Sequence, residues 1–117
     1  MNFERLEVWK EAFALAVCVH SHMKRCRDYG FRDQILRCSV SIPSNIAEGI
    51  ERGTNKDTVR FLYYAKGSTG ELLTQLQLGV HFGYIPECAG EDLSSRCHSV
   101  AKMLNALIAY RSKHPNA

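Results

Sequence analysis

Strand signals are almost absent from this sequence. No stretch alternates apolar and polar residues cleanly between turn residues, which argues against a sheet. Proline is scarce, three residues in 117, so little interrupts a long helix. No apolar run approaches membrane-spanning length, and the chain passes from Met1 straight into "NFERLEVW" with no secretory leader. A cytoplasmic location without membrane contact is expected.

The chemistry-bearing patterns are missing too. Cys18, Cys26, Cys38, Cys88 and Cys97 are odd in number and form no CxxC pair. That argues against a disulfide framework and favours reduced thiols acting as small apolar residues. Cys18, His22 and Cys26 fall at i, i+4 and i+8, but the ends of such a set lie about 12 Å apart along a helix. One metal ion with ligands at about 2.0–2.3 Å does not span them. "AKGSTG" (65–70) lacks the Lys-Ser/Thr ending of a phosphate-binding loop. No cysteine or serine sits in a signature that supplies an activating base. No enzymatic activity, metal or cofactor is expected. The formal net charge of +3 permits contact with nucleic acid without demanding it.

What is present is helical periodicity, four times over. The first helix is expected over about 4–25, with Leu6, Trp9, Phe13, Ala16, Val17 and His20 as its core row and Gly30 as the stop beyond it. The second is expected over about 32–52, with Ile35, Cys38, Ile42, Ile46 and Gly49 on one face. The third spans about 56–82 behind Thr54 or Asn55 as N-cap, with Leu62, Ala65, Thr69, Leu72, Leu76 and Gly79 aligned. The fourth spans about 87–111 after Pro86, with Leu93, Cys97, Val100, Leu104, Leu107 and Ile108 aligned. The tail after Arg111 is expected to fray. Short connections between four amphipathic helices predict an all-α, antiparallel up-down-up-down four-helix bundle filling 1–117 as a single domain.

Two features point to an oligomer. Helix one carries a second apolar arc, Val8, Ala12, Leu15, Val19 and Met23, beside the first. Together they cover roughly 200° of the helix, against about 100° or more for a one-sided helix. The second arc needs either a broader core or another subunit, and Val8, Leu15, Val19 and Met23 are taken as subunit-interface candidates. Gly67 and Gly70 lie inside helix three, where each costs about 1 kcal/mol relative to alanine. They serve either close packing within the chain or a subunit contact, and join the interface candidates.

Helix two raises its own problem at "SVSIPSNIAEGIERG" (39–53). The apolar row continues through Pro43, so the helix is read as continuing with a kink there; a fresh helix starting at Pro43 is the alternative. Gln34, Arg37, Asn45, Glu48 and Glu71 are polar residues on or beside apolar faces and are read as a structural polar network. Arg37 is expected to meet Glu71, Glu48 to meet Arg60 or Tyr64, and Asn45 to satisfy backbone freed by Pro43. Such a network would set register in a closed assembly.

"LEVWKEAFALA", "DQILRCSVSIPSNIAEGIERG", "FLYYAKGSTGELLTQLQLG" and "GYIP" resemble the bacterial four-helix-bundle family of 23S rRNA intervening-sequence proteins. The same family includes the accessory variability proteins of diversity-generating retroelements. The resemblance covers about Phe3 to Pro86, and helix four matches in character only. It implies a homopentameric, barrel-like ring without established enzymatic activity. It also implies, for the retroelement members, binding to nucleic acid and to a reverse transcriptase.

The up-down topology would gather Arg5, Lys10, Arg52, Lys56, Arg60, Arg111 and Lys113 at one end against five acidic residues. Arg5, Lys10, Arg52, Lys56, Arg60 and Arg111 are the candidates for contact with RNA or DNA, and a ring would multiply their effect. The expected function is a non-enzymatic assembly or adaptor protein that contacts nucleic acid through this end. The alternative is a protein-binding scaffold.

Overall fold

A computed structural model describes residues 2–115 and 117. A single 3-10 turn, Phe3–Arg5, leads into α1 (Glu7–Met23), α2 (Tyr29–Ile50), α3 (Asn55–His81) and α4 (Glu87–Ser112), and no strand occurs among the described residues. The molecule measures 47 × 20 × 20 Å. At about 1.5 Å per residue its long dimension is little more than the length of α3. Each helix packs on its sequence neighbour, and α1 also packs on α4. Cys38 on α2 meets Ser68 on α3, Gly49 meets Thr58, and Asn55 meets His114 beyond α4.

All four helices feed one core. Ile35, Ile42 and Ile46 of α2 meet Leu62, Leu72 and Leu76 of α3 and Leu93, Val100 and Leu104 of α4, all essentially without solvent exposure. The contribution of α1 corrects the expectation from sequence. Val8, Leu15, Val19 and Met23, taken as subunit-interface candidates, are buried with Ala12 in the chain's own core. Of the row expected to fill the core, Phe13, Val17 and His20 are exposed, Phe13 and Val17 by 52% and 56%, while Leu6 and Trp9 are half-buried against the core. Both arcs are apolar and adjacent, so periodicity alone does not rank them. The arc of Ala12, Leu15 and Val19 has no aromatic ring, and it is the one buried where α1 packs on α2 and α4.

Local chemistry sets the helix ends. α1 stops at Met23, earlier than expected, and α2 starts at Tyr29, so Gly30 lies in the first turn of α2 and does not stop a helix. The N-cap is Asp28, whose carboxylate accepts from the Phe31 amide at 3.1 Å. The same carboxylate accepts from the Tyr84 hydroxyl at 2.7 Å and so ties two turns at one end of the molecule. The rings of Phe31, Phe82 and Tyr84 pack against one another beside this tie. α3 starts behind Thr54, whose hydroxyl accepts from the Asp57 amide at 3.2 Å. It ends at His81, and Gly83 beyond it, with a φ of 81°, makes a left-handed turn that favours glycine. The chain then returns Ile85 onto Gly79, where an added Cβ would stand 2.7 Å from the Ile85 Cδ1.

The Tyr84 hydroxyl first, and the Phe31 amide second, hold the Asp28 carboxyl below the usual aspartate value. A depressed folded pKa stabilises above the unfolded value and loses that contribution as pH falls through the folded one. Asparagine keeps the cap without the charge. Thermal unfolding followed from about pH 5 to about pH 2 is expected to bring the wild type and Asp28→Asn together at the acid end. A constant gap across the range would refute a role for the charge.

Among the described tail residues, 115 and 117 are held where fraying was expected. The Asn55 and Lys56 amides, which open α3, donate to the carbonyls of Ala117 and Pro115 at 3.1 and 3.3 Å. The Asn55 side chain donates to the His114 carbonyl at 2.8 Å and accepts from Arg111 at 2.7 Å. These bonds satisfy helix-terminal donors that otherwise need water.

Candidate functional site: an apolar groove beside a basic end

The displaced arc of α1 builds a groove with α2. Trp9, Phe13 and Val17 form one wall; Val40, Pro43 and Ala47, one helical turn apart on α2, form the other. The space between them is about 490 Å³. His20 and Ser44 are the polar members of its lining. Phe3 closes the end, stacked edge-on against Trp9 at 5.5 Å between centroids, and Trp9 in turn lies 5.1 Å from Phe13. Val40 is as exposed as Val17. Phe13, Val17 and Val40 leave part of the groove's apolar lining open to water.

Pro43 serves this groove. α2 runs unbroken through it, and its ring is buried in the groove wall. The proline offers no N–H to the carbonyl of Ser39. Asn45, expected to satisfy freed backbone, donates to the carbonyl of Ser41 at 2.8 Å, two residues beyond the one the proline leaves. Ser39 and Ser41 turn their hydroxyls back onto the carbonyls of Leu36 and Cys38 at 2.9 and 2.7 Å. Back-bonds of this kind compete with the helical ladder and favour bending. Gly49 has a different duty. Its carbonyl accepts the Thr58 hydroxyl at 2.7 Å, and a Cβ there would lie 3.1 Å from the Thr58 carbonyl oxygen and 3.0 Å from the Phe61 Cβ. The missing side chain lets α2 and α3 close at their shared end.

The expected buried polar network does not form. Gln34, Arg37, Glu48 and Glu71 are exposed, and Asn45 is half-buried on its own helix. Glu48 pairs with Arg52 at 3.5 Å, not with Arg60 or Tyr64. Gln34, Arg37 and Glu71 do come together in a polar cleft between α2 and α3, but no ion pair joins Arg37 to Glu71 among the described residues. The reason is helical phase: the core row takes Ile35, Cys38, Ile42 and Ile46, which leaves 34, 37 and 48 on the flank.

Thiol chemistry is suppressed in the core. Burial first, and the Glu71 carboxylate second, push the Cys38 thiol up to about 12, and it donates to the Ser68 carbonyl at 3.2 Å. Burial likewise pushes Cys97 up to about 12. Neither forms a thiolate near neutral pH. Cys18 accepts from Arg96 at 2.9 Å, and Cys26 lies past the end of α1. No group of three or more histidine, cysteine or carboxylate side chains is placed to hold a metal ion among the described residues. No helix among them is long and apolar enough to cross a membrane.

The basic candidates assemble in part. Arg52 and Arg60 stack on the Phe61 ring, 4.4 and 5.0 Å from its centroid. Lys56 lies beside them on the first turn of α3, and Arg111 reaches the same turn through Asn55. Arg5 and Lys10 flank the start of α1, where Leu6 and Val8 meet Leu107 and Tyr110 of α4. The charge is partly spent locally: Lys10 pairs with Glu7 at 3.5 Å, Arg52 with Glu48 at 3.5 Å and Arg60 with Asp57 at 3.6 Å. The remaining interface candidates, Gly67 and Gly70, are exposed on α3, and nothing lies within 4 Å of where their Cβ atoms would be. Packing within the chain therefore does not require them.

Sequence reading missed the Asn55–Arg111–His114 clasp and the Asp28–Tyr84 tie. Asp28 carried a usable signal, an N-cap residue three before Phe31. The clasp joins residues 59 apart in the chain and had none.

Comparison with known proteins places this arrangement. The chain is similar to the crystal structure of a protein with unknown function from the S23 ribosomal protein family of Bacteroides thetaiotaomicron VPI-5482, with a TM-score of 0.81 and 23% sequence identity over 86% of this chain and 97% of that one. At that identity the likeness establishes a shared fold. No curated protein matches the chain. The family model described as 23S rRNA-intervening sequence protein matches residues 4–106, most of the length. The chain belongs to the family of 23S rRNA-intervening sequence proteins.

Proposed function

We propose that this protein is a non-enzymatic, cytoplasmic assembly or adaptor protein: an antiparallel up-down-up-down four-helix bundle that joins copies of itself into a ring, with a pentamer favoured by its resemblance to ring-forming relatives. The pairings of 38 with 68, 49 with 58 and 55 with 114 support the alternating helix directions. The observation that carries self-assembly is the open α1–α2 groove, with Phe13, Val17 and Val40 more than half exposed around a proline-walled trough. Covering apolar surface contributes about 25 cal/mol per Å², and the polar faces of the molecule offer no comparable gain. Light scattering coupled to size exclusion tests this. The wild type is expected to elute at a multiple of 13.2 kDa, and Val17→Arg at or near the monomer mass with its helical content intact. A wild type that is monomeric at all concentrations would refute the reading.

A second reading has support from the clustering of Arg52, Lys56 and Arg60 around Phe61. A ring would repeat this cluster and present it to RNA or DNA. Its signature is an affinity that falls steeply with salt, and three local ion pairs rank it behind self-assembly. Recruitment of a protein partner, such as the reverse transcriptase bound by retroelement relatives, would use the assembled ring as scaffold.

A further inference from the structure

We propose that the pocket between the end of α1 and the first turns of α2 binds a small phosphate dianion, either inorganic phosphate or the phosphate group of a small monoester. The site does not rest on self-assembly. It is also separate from the cluster of Arg52 and Arg60, which lies beyond the other end of α2.

The pocket measures about 220 Å³ and is lined by His20, Met23, Lys24, Arg32 and Leu36, with no carboxylate among them. Its two cations are uncommitted: among the described residues neither Lys24 nor Arg32 makes an ion pair. The Arg32 guanidinium lies over the Tyr29 ring, 5.2 Å from its centroid, which fixes its place. Its Nε is buried, and no protein group accepts from it. A buried donor on a charged group costs free energy until it is paired. An oxyanion in the pocket supplies the acceptor, and the guanidinium fork fits two oxygens of one phosphate. His20 offers a further N–H donor. Met23 is fully buried and Leu36 partly so, and apolar neighbours strengthen the pull of the charges beside them.

The lining also selects the ligand. Two fixed positive charges match a phosphate near its doubly charged form, whereas a carboxylate answers only one. The volume is below the roughly 300–1,000 Å³ of sites that enclose a drug-sized ligand, so the phosphate enters and the rest of a monoester stays outside. The surroundings disfavour a polyanion, which needs several phosphate contacts along a basic surface. The connection from α1 to α2 adds Arg25 and Arg27, but Asp28 and Asp33 offset them. The Tyr84–Asp28 bond brings the start of α4, with Glu87 and Glu91, to the same end.

Titration calorimetry and thermal melting of the full chain, in a buffer free of other oxyanions, test the site. The probes are inorganic phosphate, glycerol phosphate, acetate and an RNA oligonucleotide without a terminal phosphate. One phosphate is expected to bind per chain, with acetate weaker by about tenfold or more. Lys24→Gln and Arg32→Gln are each expected to weaken phosphate by about tenfold or more. Lys102→Gln, on the exposed side of α4, is expected to leave it unchanged. Lys24 is exposed, so Lys24→Gln reads the site even where Arg32→Gln disturbs folding. Glycerol phosphate at least as tight as phosphate supports a monoester, and weaker glycerol phosphate supports the free ion. A chain whose heats and melting temperature are unmoved by about 10 mM phosphate overturns the proposal. Phosphate binding that ignores both substitutions also overturns it and marks an adventitious ion only. Acetate as tight as phosphate overturns the dianion assignment, and RNA binding that falls in Lys24→Gln overturns the small-ligand assignment.

Discussion

Leu15→Ala is expected to lower the unfolding free energy by about 2–5 kcal/mol, a large part of the roughly 5–15 kcal/mol that holds a domain of ordinary stability together. Leu15 has no solvent exposure and sits in the common core. Removing its branched end forfeits the transfer free energy of the buried groups and leaves a cavity that long, mutually packed helices fill poorly. Two positions along the same helix, Val17 is more than half exposed, and Val17→Ala is expected to change the stability of the isolated chain by no more than about 0.5 kcal/mol. Urea unfolding at low protein concentration reads both numbers without a contribution from association. The contrast decides which arc of α1 is the core arc. Equal costs at 15 and 17, or a larger cost at 17, would overturn the burial described above.

Gly49→Val and Gly67→Ala are expected to move stability in opposite directions. By helix propensity alone, replacing Gly67 in the middle of α3 gains up to about 1 kcal/mol, and replacing Gly49 in the last turn of α2 gains less. At Gly67 nothing lies within 4 Å of the new methyl, so Gly67→Ala realises most of that gain in the monomer. At Gly49 the first added carbon stands 3.1 Å from a backbone oxygen of α3 and 3.0 Å from the Phe61 Cβ. Neither is the free end of a flexible side chain. α2 and α3 must separate, and overpacking of this kind costs about 1–3 kcal/mol. Separation also stretches the buried Thr58 bond to the Gly49 carbonyl, which contributes about 1 kcal/mol more. Gly49→Val therefore loses roughly 2–4 kcal/mol in sum. A stabilised Gly49→Val would mean that the close approach of the two helices is not required.

The two apolar arcs of α1 illustrate how far sequence carries. The argument that α1 is too apolar for one face was sound, and the surplus arc is on the surface. The arc named as surplus was the wrong one. Trp9, Phe13 and Val17 and Leu15, Val19 and Met23 follow the same spacing, and hydrophobicity does not say which of two equal stripes meets the neighbours. The polar residues of α2 illustrate the converse. Each was expected to be buried because it lies near an apolar position, yet a shift of one or two residues turns a helical side chain by about 100–200°. That rotation put Gln34, Arg37 and Glu48 in solvent.

By itself the sequence determined that the chain is helical, where its four helices lie to within a few residues, and which apolar rows of α2, α3 and α4 meet. It did so because those rows repeat with the period of the helix and two of them open behind Thr54 and Pro86, whose effects on backbone are local. The tertiary structure alone decided which side of α1 faces the core, that Pro43 walls a groove, and that Gly49 is needed by the chain while Gly67 and Gly70 are not. It also decided that the tail clasps the start of α3 through Asn55. Each of these depends on what stands opposite a residue across a gap between helices, and the chain brings those partners together only after the core has closed.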